Sequence, residues 1–212
     1  QRTLEPIYVS SSPLLIAASA LLKDTKTGEI VAQVKFQNID NRLISAVFVD
    51  FEARDISGNV LDGISGFQYL DLKIKRGDEF GSKTAVIFPD NRTRQFTINV
   101  RKVIFADSSE RDYSKNELWT SLPAQQTLDS VLSKDLNAQY IRETNEKAHL
   151  IPLEFKDLWQ CTCGELNHQT ESHCYSCGLS HDQVFMYLDQ NILSANFESF
   201  EEKERLKKKQ AS

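Results

Sequence analysis

The chain lacks a long hydrophobic run. No stretch reaches the about 20 apolar residues that a helix needs to span a bilayer, which argues against a membrane-spanning protein. Residues 13–22 are apolar and contain an Ala-Ser-Ala triplet like a signal-peptide cleavage site, but the preceding residues include Glu5, Pro6 and one basic side chain, Arg2. We therefore interpret residues 13–22 as a buried strand, with a signal peptide as the alternative.

The chain also has no cysteine before Cys161 and no histidine before His149. The first absence excludes a stabilising disulfide from three quarters of the protein. The second leaves this part without a histidine base, and we find no glycine-rich phosphate loop or metal-spaced set of carboxylates there. We therefore expect a non-enzymatic protein.

An excess of positive charge is missing as well. The formal net charge is −5, and residues 125–181 carry 8 acidic and 4 basic side chains. Electrostatics therefore give no reason to expect a general nucleic-acid binder. Three lysines at 207–209 form a basic run that could contact an anionic lipid surface, but four glutamates in residues 198–204 balance it. A solvated helix end is the simpler interpretation.

The first half of the chain has the pattern of a β-sandwich. Residues 13–107 are rich in β-branched and aromatic side chains, and polar turns interrupt them at intervals of roughly 8–15 residues. In residues 30–37 apolar and polar side chains alternate, which is typical of a strand with one buried face. Seven or eight strands without an intervening helix predict an immunoglobulin-like antiparallel β-sandwich over residues 1–122, a fold that mostly serves binding or scaffolding.

Three details of this sandwich can be predicted as well. A tight Ser-Gly-Asn turn is expected within residues 55–59. Val60 and Leu61 should belong to a short strand whose return comprises residues 67–74. Residues 117–120 should close one sheet as an edge strand.

Helices are predicted after the sandwich. Apolar residues recur at offsets of three and four in residues 125–147, which indicates an amphipathic helix or two short helices broken around Asn137. We assign residues 123–156 to a helical connector packed on its neighbours, with a partner-binding helix as the alternative. Residues 181–212 are expected to form a helical, charged tail.

All four cysteines lie in one short window, and each close pair is followed by a glycine: Cys161, Cys163, Cys174 and Cys177. Two such pairs can supply four thiolates to a tetrahedral zinc ion, and the glycines suit turns that need a positive φ. Two disulfides or a redox pair are the alternatives, but the clustering favours zinc in a reducing compartment, the cytoplasm. His168, His173 and His181 are expected at the surface, since four thiolates complete the shell.

The ordered spacing Trp159-x-Cys161-x-Cys163-x(3)-Asn167-x(6)-Cys174-x-x-Cys177 resembles the zinc finger of the Ran-binding-protein type. The resemblance covers about residues 157–179 and implies two distorted β-hairpins that clamp zinc, with the tryptophan beside the first cysteine pair. Members of that family bind ubiquitin through a Thr-Phe pair, or single-stranded RNA through the tryptophan and arginines. Here Gly164-Glu165 replaces Thr-Phe, and no arginine or lysine lies between Trp159 and Ser180. The metal ligands therefore carry over and the family's binding partners do not.

The order of sandwich, short helix and finger also resembles that of uncharacterised bacterial proteins of Gram-positive type. We predict a zinc-binding protein whose finger at residues 157–180 is structural and which acts through contacts with an unidentified protein. The candidate ligand contacts of the finger are Trp159, Asn167 and Tyr175. One alternative is a finger for single-stranded nucleic acid, with Trp159 and Tyr175 as stacking surfaces. Another is a redox sensor in which oxidation at Cys161 or Cys174 releases zinc.

Overall fold

The computed structural model describes residues 2–113 and 118–210. The backbone divides into two compact units between Leu122 and Pro123. The first unit consists of the strands β1 (Arg2–Leu4), β2 (Ile7–Tyr8), β3 (Leu14–Lys23), β4 (Ile30–Asn38), β5 (Ile44–Arg54), β6 (Val60–Tyr69), β7 (Glu79–Phe80), β8 (Val86–Ile87), β9 (Gln95–Phe105), β10 (Glu110–Asp112) and β11 (Thr120–Ser121). The apolar run at 13–22 thus forms most of β3, as predicted.

These strands form two antiparallel sheets. One has the order β11-β2-β3-β4-β7, with β1 also paired to β3 and β8 to β4, and the other has the order β10-β9-β5-β6. The chain therefore crosses between the sheets four times, at β4–β5, β6–β7, β8–β9 and β10–β11, so that β4 pairs with β8 and β5 with β9. This crossing pattern is that of an immunoglobulin-like sandwich, which confirms the predicted fold class.

The core of the sandwich lies between the two sheets. The alternation in β4 buries Ile30, Ala32, Val34 and Phe36, as the sequence predicts. They share one hydrophobic cluster with residues of β5 such as Phe51. Aromatic rings pack closely in this cluster, where Phe36 and Tyr69 meet edge to face at 5.5 Å.

The structure corrects one detail of the strand prediction, because β6 is one continuous strand and not a short strand with a separate return. Gly63 lies where the pairing with β5 shifts register, and a Cβ atom there would lie 2.3 Å from the carbonyl oxygen of Phe51. Gly66 has a φ of +69° and donates its N–H to Asp50 Oδ1 at 2.7 Å. Both glycines therefore make bulges that keep the strand paired.

The other two details concern the ends of strands. Residues 55–59 form the predicted turn, in which Gly58 has a φ of +84°. Of the edge strand predicted at 117–120, Thr120 belongs to β11, which pairs with β2, while residue 117 lies outside the described residues.

The second unit contains short helices and a small sheet. Its elements are α1 (Leu128–Val131), α2 (Lys134–Glu143), β12 (Leu153–Phe155), β13 (Leu158–Gln160), β14 (Leu166–His168), α3 (His181–Met186) and α4 (Gln190–Gln210). The sheet has the order β12-β13-β14, so it begins before the predicted start of the finger at residue 157. The predicted helical tail is present as α3 and α4.

The break in the connector lies earlier than predicted. Ser133 caps α2 by accepting a hydrogen bond from the backbone N–H of Leu136, and Asn137 lies inside that helix. The prediction of a break around Asn137 was therefore wrong, because a serine cap starts the second helix.

Helices α2 and α4 pack against each other. Tyr140 and Leu193 are fully buried in one cluster, and the Arg142 guanidinium lies 3.9 Å from the centroid of the Phe200 ring.

Beyond Glu204 all the described residues of α4 are exposed. Within the part of the chain that the structure describes, no helix combines the length and apolar character needed to cross a membrane.

Candidate metal centre

The four predicted cysteine ligands come together in the second unit. The sulfur atoms of Cys161, Cys163, Cys174 and Cys177 all lie within 4.8 Å of one another. Cys161 Sγ is 3.5 Å from Cys177 Sγ, and Cys163 Sγ is 3.6 Å from Cys174 Sγ. These separations exceed the about 2.05 Å of a disulfide bond, and all four cysteines are free thiols. The cluster could therefore hold a metal ion.

The sulfur separations fit a tetrahedral site. A zinc ion bound to four sulfurs at about 2.3 Å requires adjacent sulfurs to be about 3.8 Å apart. The two measured separations fall a few tenths of an ångström below that value. In such an arrangement the four cysteines would be the complete protein ligand set.

Two tight turns, which we call the knuckles, position the sulfurs. In the first knuckle, residues 161–165, Cys161 N–H donates to the Glu165 carbonyl at 2.9 Å. In the second, residues 174–179, Cys174 N–H donates to the Leu179 carbonyl at 2.8 Å. Gly164 has a φ of +96° and Gly178 a φ of +75°. The expectation that both glycines adopt positive φ is therefore confirmed.

Backbone amides in the knuckles point at sulfur. The N–H of Cys163 donates to the Cys161 side chain, and the N–H of Glu165 to the Cys163 side chain. The N–H groups of Ser176 and Cys177 donate to the Cys174 side chain. Such bonds stabilise thiolate, which is the form that binds a metal.

The crowded thiols perturb one another's protonation. Hydrogen bonds from the Cys161 and Cys163 thiols, followed by the backbone N–H groups of Cys177 and Ser176, lower the pKa of Cys174. The Cys163 and Cys174 thiols, together with burial, raise the pKa of Cys161. The Cys174 thiolate is thus stabilised by the protonated thiols of Cys161 and Cys163. A divalent cation can replace those protons and keep all four groups ionised.

Asn167 links the two knuckles. Its side chain is almost fully buried, its Nδ2 donates to the Glu165 carbonyl at 3.2 Å, and its Oδ1 accepts from the Tyr175 N–H at 2.9 Å. One amide group therefore ties the end of the first knuckle to the turn of the second. The position matches the asparagine of the resembled finger type, although the spacing alone could not reveal this contact.

Trp159 forms the apolar base of the site. Its side chain is 0% exposed, and its indole Nε1 donates to the Glu171 carbonyl at 2.9 Å. It belongs to a cluster with Cys161, Cys174 and Val184. With its ring enclosed, Trp159 offers no face on which a base could stack, whereas Tyr175 is 61% exposed.

The histidines lie outside the sulfur cluster. Among the described residues, the metal-capable group contains the four cysteines alone. His173 is exposed beside Ser172, and His168 is half-buried on β14. The half-buried His181 ring contacts Trp159 edge to face at 5.2 Å, and its Nε2 lies 2.9 Å from Glu154 Oε1. His181 thus packs beneath the site.

Residues before the finger hold the first knuckle in place, a role that sequence reasoning missed. The backbone N–H groups of His149 and Leu150 both donate to the Thr162 carbonyl at 3.0 Å. The Thr162 hydroxyl in turn donates to the Leu150 carbonyl at 2.7 Å, and Thr162 is fully buried. In addition, Tyr140 Oη donates to the Val184 carbonyl at 2.8 Å. The metal centre is therefore built into the helical unit.

Fold and site together define the class of this protein: a β-sandwich followed by a small helical unit with a four-cysteine, metal-capable cluster. No protein-family model matches the chain, and no curated protein matches it significantly. Among solved structures, it is similar to the crystal structure of a DUF1425 family member from Shewanella sp. pv-4, with 17% identity and a TM-score of 0.31. That similarity covers 45% of this chain and 94% of the other chain, and it is too weak to support a conclusion about function.

Proposed function

We propose that this protein is a non-enzymatic zinc protein that acts through protein–protein contacts, and that zinc holds its second unit together. The observation that carries the proposal is the spacing of the four cysteine sulfurs, with 3.5 and 3.6 Å across the two knuckles. The ligand spacing of the proposed zinc site resembles that of the Ran-binding-protein type. The protein partner that we propose is not ubiquitin, and we do not propose RNA as a ligand.

Zinc is the metal that the ligand set favours. Four thiolates in a tetrahedral arrangement select zinc or iron, whereas hard cations such as magnesium and calcium prefer oxygen ligands. A tight pair of hairpins with amide hydrogen bonds to sulfur is also common in structural zinc sites. Iron would give the protein a visible colour, so absorption spectroscopy separates the two metals.

A structural role follows from the closed ligand set. A catalytic zinc ion keeps an open position for water or substrate, and four cysteine ligands leave none. Zinc would instead fix the knuckles against Trp159 and Thr162, both of which are fully buried next to the cysteines. Because so small a segment buries little apolar surface, metal binding should supply much of its folding free energy.

A protein partner suits the surface of the finger better than a nucleic acid does. The segment from Trp159 to Ser180 contains Glu165 and Glu171 and no basic residue except histidine. Single-strand binding requires a positive groove together with exposed aromatic rings. Tyr175, exposed on the second knuckle and held there by the bond of its N–H to Asn167, supplies an aromatic side chain of the kind enriched in protein interfaces.

Native mass spectrometry of the full chain, with and without a chelator, tests the proposal. We expect one zinc ion per chain, lost together with the native charge-state distribution when the chelator is added. A Cys163→Ser/Cys177→Ser variant should carry no zinc, whereas the matched Ser172→Ala/Ser176→Ala variant should retain it. Metal-free protein as purified from zinc-supplemented cells, or full zinc content in the double cysteine variant, would refute the proposal.

A further inference from the structure

We propose that the four cysteines also form a modification site, in which a peroxide converts them into two disulfides across the knuckles, Cys161–Cys177 and Cys163–Cys174, and releases zinc. This inference rests on the proposed function, since zinc must be bound before it can be released. It adds a co-reactant class, a hydroperoxide, and a defined pairing.

The pairing follows from the two short sulfur contacts. Each of them joins one knuckle to the other, at 3.5 Å for Cys161 with Cys177 and at 3.6 Å for Cys163 with Cys174. Closing either contact to the about 2.05 Å of a disulfide requires a movement of about 1.5 Å, which becomes available when the central ion leaves. A disulfide between Cys161 and Cys163 would instead close a very small ring, because one residue separates them.

In each predicted disulfide, one cysteine is accessible to solvent and the other is buried. Cys161 and Cys174 are 0% and 3% exposed, whereas Cys163 and Cys177 are half-buried. Each short contact therefore pairs an accessible sulfur with a protected one. On this geometry a peroxide reaches Cys163 and Cys177 first, whereas the sequence-based alternative named Cys161 or Cys174 as the reactive thiol.

The chemistry balances within each pair. The Cys163 thiolate attacks one oxygen of the hydroperoxide, the O–O bond breaks, and the sulfur becomes a sulfenic acid while the other oxygen leaves as an alcohol or water after protonation. The Cys174 thiolate then attacks the oxidised sulfur, an S–S bond forms, and the hydroxyl group takes a proton and leaves as water. Cys177 and Cys161 react in the same way with a second peroxide. Zinc, deprived of its thiolates, departs as Zn²⁺.

The geometry also makes the oxidation reversible. Crosswise disulfides join the two knuckles as the metal does, and the Asn167 bond from Oδ1 to the Tyr175 N–H, at 2.9 Å, still holds them together. In the oxidised form the unit therefore keeps its shape, because the two disulfides replace the crosslinks that zinc supplied. Reduction of both disulfides then restores the four ligands in place.

The test uses the zinc-loaded full chain carrying Met186→Leu. Met186 is the single methionine and is 47% exposed, so removing it eliminates a competing oxidation. After treatment with two equivalents of hydrogen peroxide, native mass spectrometry measures zinc, and a non-reducing digest maps the disulfides. Cleavage after Glu165 and Glu171 separates the knuckles, cleavage after Tyr175 separates Cys174 from Cys177, and fragmentation distinguishes Cys161 from Cys163.

We expect loss of zinc, the two predicted disulfides and full recovery of zinc binding after reduction. Retained zinc, disulfides within a knuckle, the pairing Cys161–Cys174 with Cys163–Cys177, or irreversible sulfinic acids would each overturn the inference and leave the proposed function intact. Absence of zinc before peroxide is added would instead overturn the proposed function.

Discussion

At the scale of single residues, Asn167 shows how one side chain can organise a metal-capable cluster without being one of its sulfur ligands. Its hydrogen bonds to the Glu165 carbonyl and from the Tyr175 N–H use both ends of the amide. Removing a group that orients metal ligands typically weakens metal binding by about 10- to 100-fold. The sequence marks the residue through its spacing, but its partners emerge only when the knuckles fold together.

We predict that Asn167→Ala weakens zinc binding by about 10- to 100-fold, the effect expected when a group that positions metal-binding turns is removed. Competition with a chromophoric chelator measures the affinity. The exposed neighbour Gln169 provides the control, and Gln169→Ala should leave the affinity unchanged. An Asn167→Ala protein that binds zinc as tightly as the wild type would show that the amide does not position the knuckles.

A second residue-scale prediction concerns Asp50 and pH. Partial burial raises the pKa of this carboxyl, but the Gly66 N–H, Arg101 and the Ser65 hydroxyl together lower it below its ordinary value. A lowered folded-state pKa stabilises the sandwich above the unfolded-state pKa of about 3.9, and this stabilisation disappears as the pH falls through the folded-state pKa. Asp50→Asn should therefore reduce stability at neutral pH and reduce the further loss on acidification.

Urea unfolding of the two proteins, both carrying Trp159→Phe so that Trp119 in the sandwich is the emitting tryptophan, measures this difference at about pH 7 and about pH 3. The exposed Asp62 gives a matched control, because Asp62→Asn changes the same functional group on the neighbouring strand β6. The explanation fails if Asp50→Asn and the wild type lose equal stability on acidification.

At the scale of elements, β6 shows where a sequence pattern misleads. Its two glycines and the polar residues beside them have the composition of a turn, yet the strand continues from Val60 to Tyr69. The glycines are needed because the backbone of Phe51 comes so close to Gly63 that a side chain would overlap it. Such a contact between distant segments leaves no signal in local composition.

Gly63→Ala should destabilise the sandwich by about 1–3 kcal/mol, the range expected when an added methyl group forces a packed structure to shift. The urea midpoint of the sandwich measures the loss, with Asp62→Ala as the neighbouring control, since that side chain is exposed. If both variants unfold at the wild-type midpoint, the bulge does not constrain the strand as we describe.

The helical elements follow the same logic. The spacing of apolar residues predicted helices in residues 125–147, but the position of the break depends on Ser133, whose hydroxyl caps α2. Likewise, the tight spacing of Cys161 and Cys163 predicted a knuckle, whereas its attachment to Leu150 through Thr162 depends on tertiary contacts. Local signals thus predict which elements form, a local capping side chain decides where helix α2 begins, and long-range hydrogen bonds decide what the first knuckle is attached to.

At the scale of the whole molecule, the sequence predicted the strand-rich fold and the four clustered cysteines. The alternation in β4 and the paired cysteines are local patterns. The first is typical of a strand with one buried face, and the second is typical of a metal-binding cluster. The burial of Trp159 and the difference in exposure between Cys163 and Cys161 could not be read in this way, because both depend on how the second unit packs.

The division into two units predicts that metal removal affects one of them. The chain has two tryptophans, Trp119 in the first unit and Trp159 in the second. In a Trp119→Phe variant, a chelator should shift the emission of Trp159 to longer wavelength, because the loss of zinc exposes this buried indole. In a Trp159→Phe variant, the emission of Trp119 should stay unchanged. A simultaneous change of both signals would show that the sandwich depends on the metal.

X-ray absorption spectroscopy at the zinc edge tests the central claim most directly, because it reports the ligands around the metal in the intact protein. We predict a single shell of four sulfur atoms at about 2.3 Å, as four cysteine thiolates require. A shell containing nitrogen or oxygen ligands, or fewer than four sulfurs, would contradict the assignment of Cys161, Cys163, Cys174 and Cys177 as the complete ligand set.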